Sequence, residues 1–428
     1  MTTHLKLLLL ILLLTIPFAS QAPAQTSDDS LSDGRDINST SEINTTKFMT
    51  GGWGGVRDKL VGLGITPTAK YYTTVLGNPA GGENKGVQYA GLLNAHLNFD
   101  LDKLLNIGGT RFVVSGSWAS GRSLTEEDIG NFFNVSNVFS GDTLRLYQMF
   151  LRTDLLEGRL NFAIGRMAVG DKFATSSTFY NYVSLTFDEN PVSIPINNPG
   201  FFSNPEASWR AWLRGAPLDE VYLMAGVYNS NPGLGRDSAH GVDFSFRNGV
   251  MFVGEAGYLH NQKNGSNKKP GKFKFGAYYD TGNFPQFNNG VDNSETSENG
   301  NYGFYVIGEQ MVYREQVASD QGLTSWAALT FAPEEKINTF PLFVSGGLVY
   351  QGLFNTRDRD RTAFAVAYGR VSDDLKSKDF ELLFEVTHIL EITNWLNIQP
   401  DIQYIVHPGG SGEIPDAFVI GVMLALDI

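Results

Sequence analysis

Along residues 68–428 the chain alternates. Segments of roughly ten residues carry apolar side chains at every second position, and polar, glycine-containing stretches separate them. In "YAGLLNAHLNFD" (89–100), Tyr89, Leu93, Ala95, Leu97 and Phe99 share one parity. Asn94, His96, Asn98 and Asp100 share the other. In "TRFVVSGSW", Phe112, Val114 and Trp118 oppose Arg111, Ser115 and Ser117. In "KFKFGAYYD", Phe273, Phe275, Ala277 and Tyr279 oppose Lys272, Lys274, Gly276 and Asp280. The stretch "FELLFEVTHI" (380–389) separates the two regular periods. A helix would also bring Glu381 and Glu385 to one face, but their neighbours would not follow. A strand puts Phe380, Leu382, Phe384 and Val386 on one side and Glu381, Glu385 and Thr387 on the other, with Leu383 as the exception. Enrichment in Phe, Tyr, Val and Thr favours the strand.

Two all-β architectures share this pattern. A soluble sandwich turns the apolar face into a core. A membrane barrel turns it out to lipid and the polar face to water. Four features favour the barrel. An export signal precedes it. Short connections ("LLNIGG", "DLLEG", "APLDE", "TNWLN") alternate with long polar loops (121–142, 168–205, 281–300). Aromatics stand near segment ends at Tyr89, Trp118, Tyr228 and Tyr404, as interfacial girdles require. The chain also ends in an unbroken alternate row, Phe418, Ile420, Val422, Leu424, Leu426 and Ile428. The expected fold is a transmembrane antiparallel β-barrel of about 16 strands, wide enough for an aqueous lumen. Residues 312–360 leave the count open, and about 18 is the other total.

The N-terminus adds an export history. "MTTHLK" is basic, "LLLLILLLTI" (7–16) is apolar, and "APA" (22–24) supplies small residues, so residues 1–24 read as a signal peptide cut after Ala24. Residues 25–46 are polar and acidic and read as a flexible linker. In 47–67, Trp53, Val56, Leu60 and Leu63 recur at helical spacing, which predicts a short periplasmic amphipathic helix ended by Gly62 and Gly64, with Pro67 as a stop. No later apolar run approaches the ~20 residues of a membrane helix. The barrel would then fill 68–428.

Composition narrows the function. The net charge of −13 argues against nucleic acid, whose phosphates need a basic surface. The absence of cysteine removes disulfides, thiolate catalysis and lipid attachment at a thiol. The histidines of the mature chain, His96, His240, His260, His388 and His407, show no metal-ligand spacing. No nucleophile elbow is present, so an outer-membrane enzyme is disfavoured. No cofactor or metal is expected.

Three segments resemble the carbohydrate-selective porin family of the OprB type. "GGWGGVRDKLVGLGI" (51–65) is similar to its N-terminal Trp-Gly-Gly-hydrophobic-Arg segment. "IGRMAVGDKFATSS" (164–177) is similar to its Gly-Arg strand end leading into an Asp-x-Phe-Ala-x-Ser loop. "GLVYQGLFNTRDRD" (347–360) is similar to its Gly-hydrophobic-x-x-Gly-Leu element followed by Arg-x-x-Asp. The terminal Ile428 departs from the aromatic usual in such barrels. The resemblance implies a passive outer-membrane channel of a Gram-negative-type bacterium, favouring small carbohydrates, embedded in outer-membrane lipid as a monomer or a homo-oligomer such as a trimer. The residues themselves support a water-filled barrel. A channel for ions or other small nutrients without sugar selectivity shares every architectural signal.

The long stretch 168–205 is the candidate constriction, folded inward, and its polar residues include Asp171, Lys172, Asp188 and Glu189. The adjacent "ASWRAWLRG" places Arg210, Trp212 and Arg214 on one parity and Trp209 on the other, where Trp209 is an interfacial anchor. Arg111, Arg152 and Arg166 stand in or beside strands. Glu255, Glu309, Glu381 and Glu385 would be costly against lipid and are expected to face the lumen. For each single residue of this set, wall solvation or a structural salt bridge is the commoner role than direct solute contact.

Overall fold

The computed structural model describes residues 45–262, 268–288, 291–317 and 319–428. The expected signal peptide and most of the expected linker lie outside these residues. Sixteen strands close into one antiparallel barrel, each bonded to its sequence neighbours, with the first paired to the last. In chain order they are β1 (Ile65–Ala80), β2 (Val87–Asp100), β3 (Thr110–Gly121), β4 (Thr143–Leu155), β5 (Leu160–Met167), β6 (Ser208–Leu218), β7 (Val221–Asn229) and β8 (Val250–His260). They continue as β9 (Gly271–Asn288), β10 (Val291–Arg314), β11 (Gly322–Phe331), β12 (Leu342–Gln351), β13 (Arg361–Arg370), β14 (Phe380–Glu391), β15 (Leu396–Val406) and β16 (Ala417–Asp427). Closure leaves no sheet edge, so backbone donors and acceptors are satisfied within the wall, as hydrocarbon surroundings demand.

Burial follows the expected parity. Along β14, Glu381, Leu383, Glu385 and Thr387 are buried while Val386 is 49% exposed. Trp118, Phe275 and Ile420 are likewise exposed, and this outward row is the lipid-facing surface. Tyr89 and Tyr404 stand on it, and Tyr89 shares a 2.6 Å hydroxyl contact with Tyr71. Tyr228 does not: it is 1% exposed and turned inward beneath Arg210, so it is no girdle residue.

The stretch expected as a loop over 281–300 is largely paired strand, because β9 and β10 continue as a long hairpin, with Asn301 opposite Asp280 and Val291 opposite Asn288. This hairpin and the separate β11 and β12 fix the count at sixteen. Pro67 lies within β1 rather than stopping a helix. There β1 pairs only with β2, since β16 joins from Lys70 onward, so a missing N–H costs no bond.

Among the described residues one α-helix precedes the barrel, the short α1 (Val56–Gly62). Its Arg57 is 1% exposed, lies 3.9 Å from the Phe48 ring centroid and 4.2 Å from that of Trp53, and donates to the Gly51 carbonyl at 2.8 Å and the Ile428 oxygen at 3.1 Å. The Met49 amide donates to the Asp427 carbonyl at 2.8 Å. The Trp-Gly-Gly-hydrophobic-Arg segment thus pins the end of β16 beside β1, at the seam where the barrel closes.

Candidate solute path

The two halves of the inner wall carry opposite charge. The inward positions of β1–β7 hold Lys70, Arg111, Arg145, Arg152, Arg210 and Arg214, against the carboxylates of Asp100 and Asp154 alone. The inward positions of β8–β16 hold Glu255, Asp280, Glu309, Glu381, Glu385, Glu391, Asp401 and Asp427, against Lys272, Lys274, Arg314 and Arg361. Alternation along each strand fixes the side on which a residue falls. The sorting of signs between halves is a property of the closed sheet.

Four of these carboxylates hold loop residues. Glu255 accepts from the Ala174 amide at 3.0 Å and from the Tyr222 and Tyr305 hydroxyls, each at 2.7 Å. Glu309 accepts from the hydroxyls of Ser176, Ser177 and Thr178 and lies 3.4 Å from Lys272 Nζ. Glu385 accepts from the Val183 amide at 2.7 Å and the Ser184 amide at 3.1 Å. Glu381 takes the amides of Phe132, Phe133 and Gly409 at 2.9, 2.6 and 2.7 Å, tying the loop after β3 to the last long loop.

Aromatic packing completes the seat for residues 168–207. Trp326 of β11 donates to the Tyr182 hydroxyl at 2.8 Å and makes edge contacts with Phe179 and Phe187. Gly347 makes room for this group. A Cβ there would stand 2.5 Å from the Phe364 oxygen and 2.6 Å from the Tyr182 hydroxyl. Farther along, Asn197 donates to the Phe340 carbonyl at 2.8 Å, and the Ser193 and Thr330 hydroxyls are 2.7 Å apart.

The segment begins on the other wall. A bulge in β4 breaks the alternation, so Tyr147 and Gln148 both point inward. Both donate to Asp171, at 2.5 and 2.9 Å. Asp188 accepts from Asn137 at 3.0 Å. Glu189 lies beside Asp188 and Asp171, and burial first, then those two carboxylates, push its carboxyl well above the usual range.

The basic half has a different texture. Arg111 and Arg152 face each other directly across β3 and β4. Arg152 donates to Asp154 at 3.1 Å, and Asp154 also accepts from Asn161 at 2.8 Å. Trp212 is 2% exposed, with the Arg152 guanidinium carbon 6.0 Å and Lys172 Nζ 5.7 Å from its ring centroid. Trp212 is therefore covered by charged side chains that are themselves buried. Arg214 stacks 4.7 Å over Tyr222. Arg210 donates through Nη1 to the Ala168 carbonyl and, at 3.3 Å, to the Tyr228 hydroxyl; its Nε and Nη2 have no hydrogen-bond partner.

Arg166 belongs elsewhere. It has the parity of Phe162 and Ile164, which face lipid, so its place among the pore-lining residues is corrected. It is nevertheless 1% exposed. The β4–β5 pairing ends at Met149 and Arg166, and the chain leaves the wall at Ala168 while β4 continues to Thr143. Residues 237–242, from the loop after β7, fill the vacated place: the Leu146 amide donates to the His240 carbonyl at 2.9 Å. Phe244 of the same loop packs 5.4 Å from Trp209 on the outward parity.

Arg145 holds this repair together, donating to Ser140, Glu206, Gly235 and Asp237. Sequence reasoning passed over Arg145, Tyr147 and Gln148. The inward parity of Arg145 was visible, but its carboxylate partners Glu206 and Asp237 lie 61 and 92 residues away.

A sixteen-strand barrel with a polar lumen crossed by a bonded internal loop defines a porin. Residues 84–426 match the model of the carbohydrate-selective porin, OprB family, and the chain belongs to that family. Porin B of Pseudomonas aeruginosa is 26% identical over 420 residues, 89% of this chain and 91% of that protein. The putative porin QuiX of Acinetobacter baylyi is 24% identical over 89% of this chain and 93% of that protein. The high-pH structure of Pseudomonas putida OprB superposes with a TM-score of 0.81 at 25% identity, covering 91% of this chain and all of that one.

Proposed function

We propose that the chain is a passive outer-membrane channel for small carbohydrates, reaching the membrane after loss of residues 1–24. Residues 168–207 narrow its lumen, and Arg111, Arg152, Lys172, Arg210 and Arg214 form the wall along which solute moves. The observation that carries this reading is the division of labour between the two halves. Glu255, Glu309, Glu381 and Glu385 of β8–β14 hold loops, while the inward Thr68, Lys70, His96 and Arg111 of β1–β3 stay partly exposed toward the path. Guanidinium groups offer planar arrays of donors to sugar hydroxyls. Donors without a deep apolar socket give the weak binding that permeation requires.

The test is ion current through single channels in a planar bilayer, titrated with a panel of neutral and charged sugars. Concentration-dependent block by sugars, with little block by non-sugar polyols of equal size, supports the reading. Current indifferent to every sugar, and blocked by small ions instead, overturns it.

A further inference from the structure

We infer that the exposed face of Trp53, at the rim of short turns where the wall begins and ends, is a stacking platform for the ring of a hexopyranose crossing the periplasmic end of the path. The inference rests on the sugar-channel reading above and deepens it. It adds a contact residue from the segment before the barrel and names the solute class, sugars with flat C–H faces.

Trp53 is unusual for its place. Its ring is 42% exposed, although the segment that carries it is pinned. The Met49 amide ties that segment to Asp427, and Arg57 ties it to Gly51 and Ile428. The Trp53 backbone lies at φ 51°, in the left-handed region that a bulky side chain rarely adopts. Such strain persists where the surroundings impose it, and it gathers at ligand clamps. Core packing does not account for it, because a ring this exposed gains little from burial.

The orientation of the ring is fixed. Its indole N–H donates to the Thr50 hydroxyl at 3.0 Å, and the Arg57 guanidinium covers one face, 4.2 Å from the centroid. The exposure that remains therefore belongs to the opposite face and the rim of the ring.

Trp53 and Arg57 border a cavity of about 340 Å³ together with Thr68, His96 and Ser115. These three wall residues have the inward parity and form one row, Thr68 opposite His96 and His96 opposite Ser115. The row continues to Gln148 of β4, which holds Asp171 at 2.9 Å. The cavity thus adjoins the solute side of the wall, one step along the row from the seat of the internal loop. Its volume falls in the range of about 300–1,000 Å³ usual for small-molecule sites. The buried Arg57 Nε, at its border, has no hydrogen-bond partner among the described residues.

A pyranose with equatorial hydroxyls, as in glucose, turns axial C–H groups to both faces. Such a face is apolar and flat, and it fits an indole, while the hydroxyls at its edge reach polar groups of the wall. One platform without a deep socket binds weakly, as permeation requires. An open-chain polyol with the same hydroxyls has no flat face to offer.

The test uses the full-length mature porin in planar bilayers, with current titrated by glucose. Trp53→Ala should raise the half-blocking concentration roughly five- to tenfold, without lowering the unblocked current. Trp53→Phe, which keeps a flat ring, should stay within about threefold of the unmodified porin. Heated detergent gels check that the seam is intact in each variant. If the alanine variant assembles poorly or its folded band converts early, Thr68→Cys with Trp53 in place decides. Glucose should slow modification of that thiol, and sorbitol should not.

Unchanged glucose block in a well-assembled Trp53→Ala porin, or block weakened equally in Trp53→Phe, overturns the platform and leaves the sugar-channel reading standing. Thiol modification that glucose does not slow, or that sorbitol slows equally, does the same. Absence of glucose block in the unmodified porin overturns both.

Discussion

Replacing Glu255 tests whether hydrogen-bond geometry or charge holds the internal loop. The carboxylate satisfies three donors at once, the Ala174 amide and two tyrosine hydroxyls. Glu255→Leu removes all three acceptor contacts. At about 1 kcal/mol net for each, the loop's seat loses about 3 kcal/mol, since lumen water can recover part of the loss. Glu255→Gln should behave differently. Its amide oxygen can still accept from the Ala174 amide and Tyr305, and its NH2 can donate to the Tyr222 oxygen, because a phenol is both donor and acceptor.

Hydrogen exchange of peptides spanning 172–190, measured in detergent, reads the local opening directly. The Leu variant should exchange there roughly a hundredfold faster than wild type. The Gln variant should stay within about tenfold of wild type, the worth of the lost charge assistance. Protection in the strands should not change in either. A Leu variant as protected as wild type would refute the idea that Glu255 seats the loop. A Gln variant as open as the Leu variant would refute the geometric account in favour of charge.

Three further outcomes follow from individual contacts. Arg57→Ala removes two hydrogen bonds and two ring contacts at the seam, so the folded band should convert to the unfolded one at lower temperature in heated detergent gels, by about 2 kcal/mol, and Arg57→Lys should not restore it. Gly347→Ala forces a Cβ to within 2.6 Å of the Tyr182 hydroxyl, and single-channel records should show new current fluctuations without loss of the barrel. Glu189 has a raised carboxyl pKa, so the folded loop binds more protons than the open one above about pH 4.3 and its seating weakens as pH rises. Exchange over 186–192 should therefore be slower at about pH 4.5 than at about pH 7.5, beyond the intrinsic rate change, and Glu189→Gln should abolish the difference.

Local alternation made the wall legible. The face that carries Phe380, Leu382, Phe384 and Val386 is the lipid face, and Glu381 and Glu385 point inward, because side-chain period is set by the strand itself. Leu383, the apparent exception, faces inward and is fully buried, so it belongs to the core formed with the internal loop. What the sequence concealed was non-local. The parity of Arg166 follows from its own strand, yet its burial depends on a loop more than seventy residues later in the chain. A single inserted residue at Tyr147 and Gln148 sets two side chains on Asp171, and no alternation rule signals such a bulge. The four glutamates were placed on the correct side, but their bonds to loop amides exist only once the loops are folded. Tyr228 misled because an aromatic near a strand end fits a girdle equally well on either parity.

The central claim is that water and solute pass along the basic half while residues 168–207, seated at their start by Tyr147, Gln148 and Arg210, pack mainly against the acidic half. Because the chain contains no cysteine, single thiols can report on each half without background. Thr68 is half-buried on the inward parity of β1, and Ser345 is 4% exposed on the inward parity of β12. A charged methanethiosulfonate reagent should modify Thr68→Cys and step the current through an open channel downward, while Ser345→Cys gives no change. Rapid modification at position 345 with none at 68 would place the path on the acidic side and contradict the account.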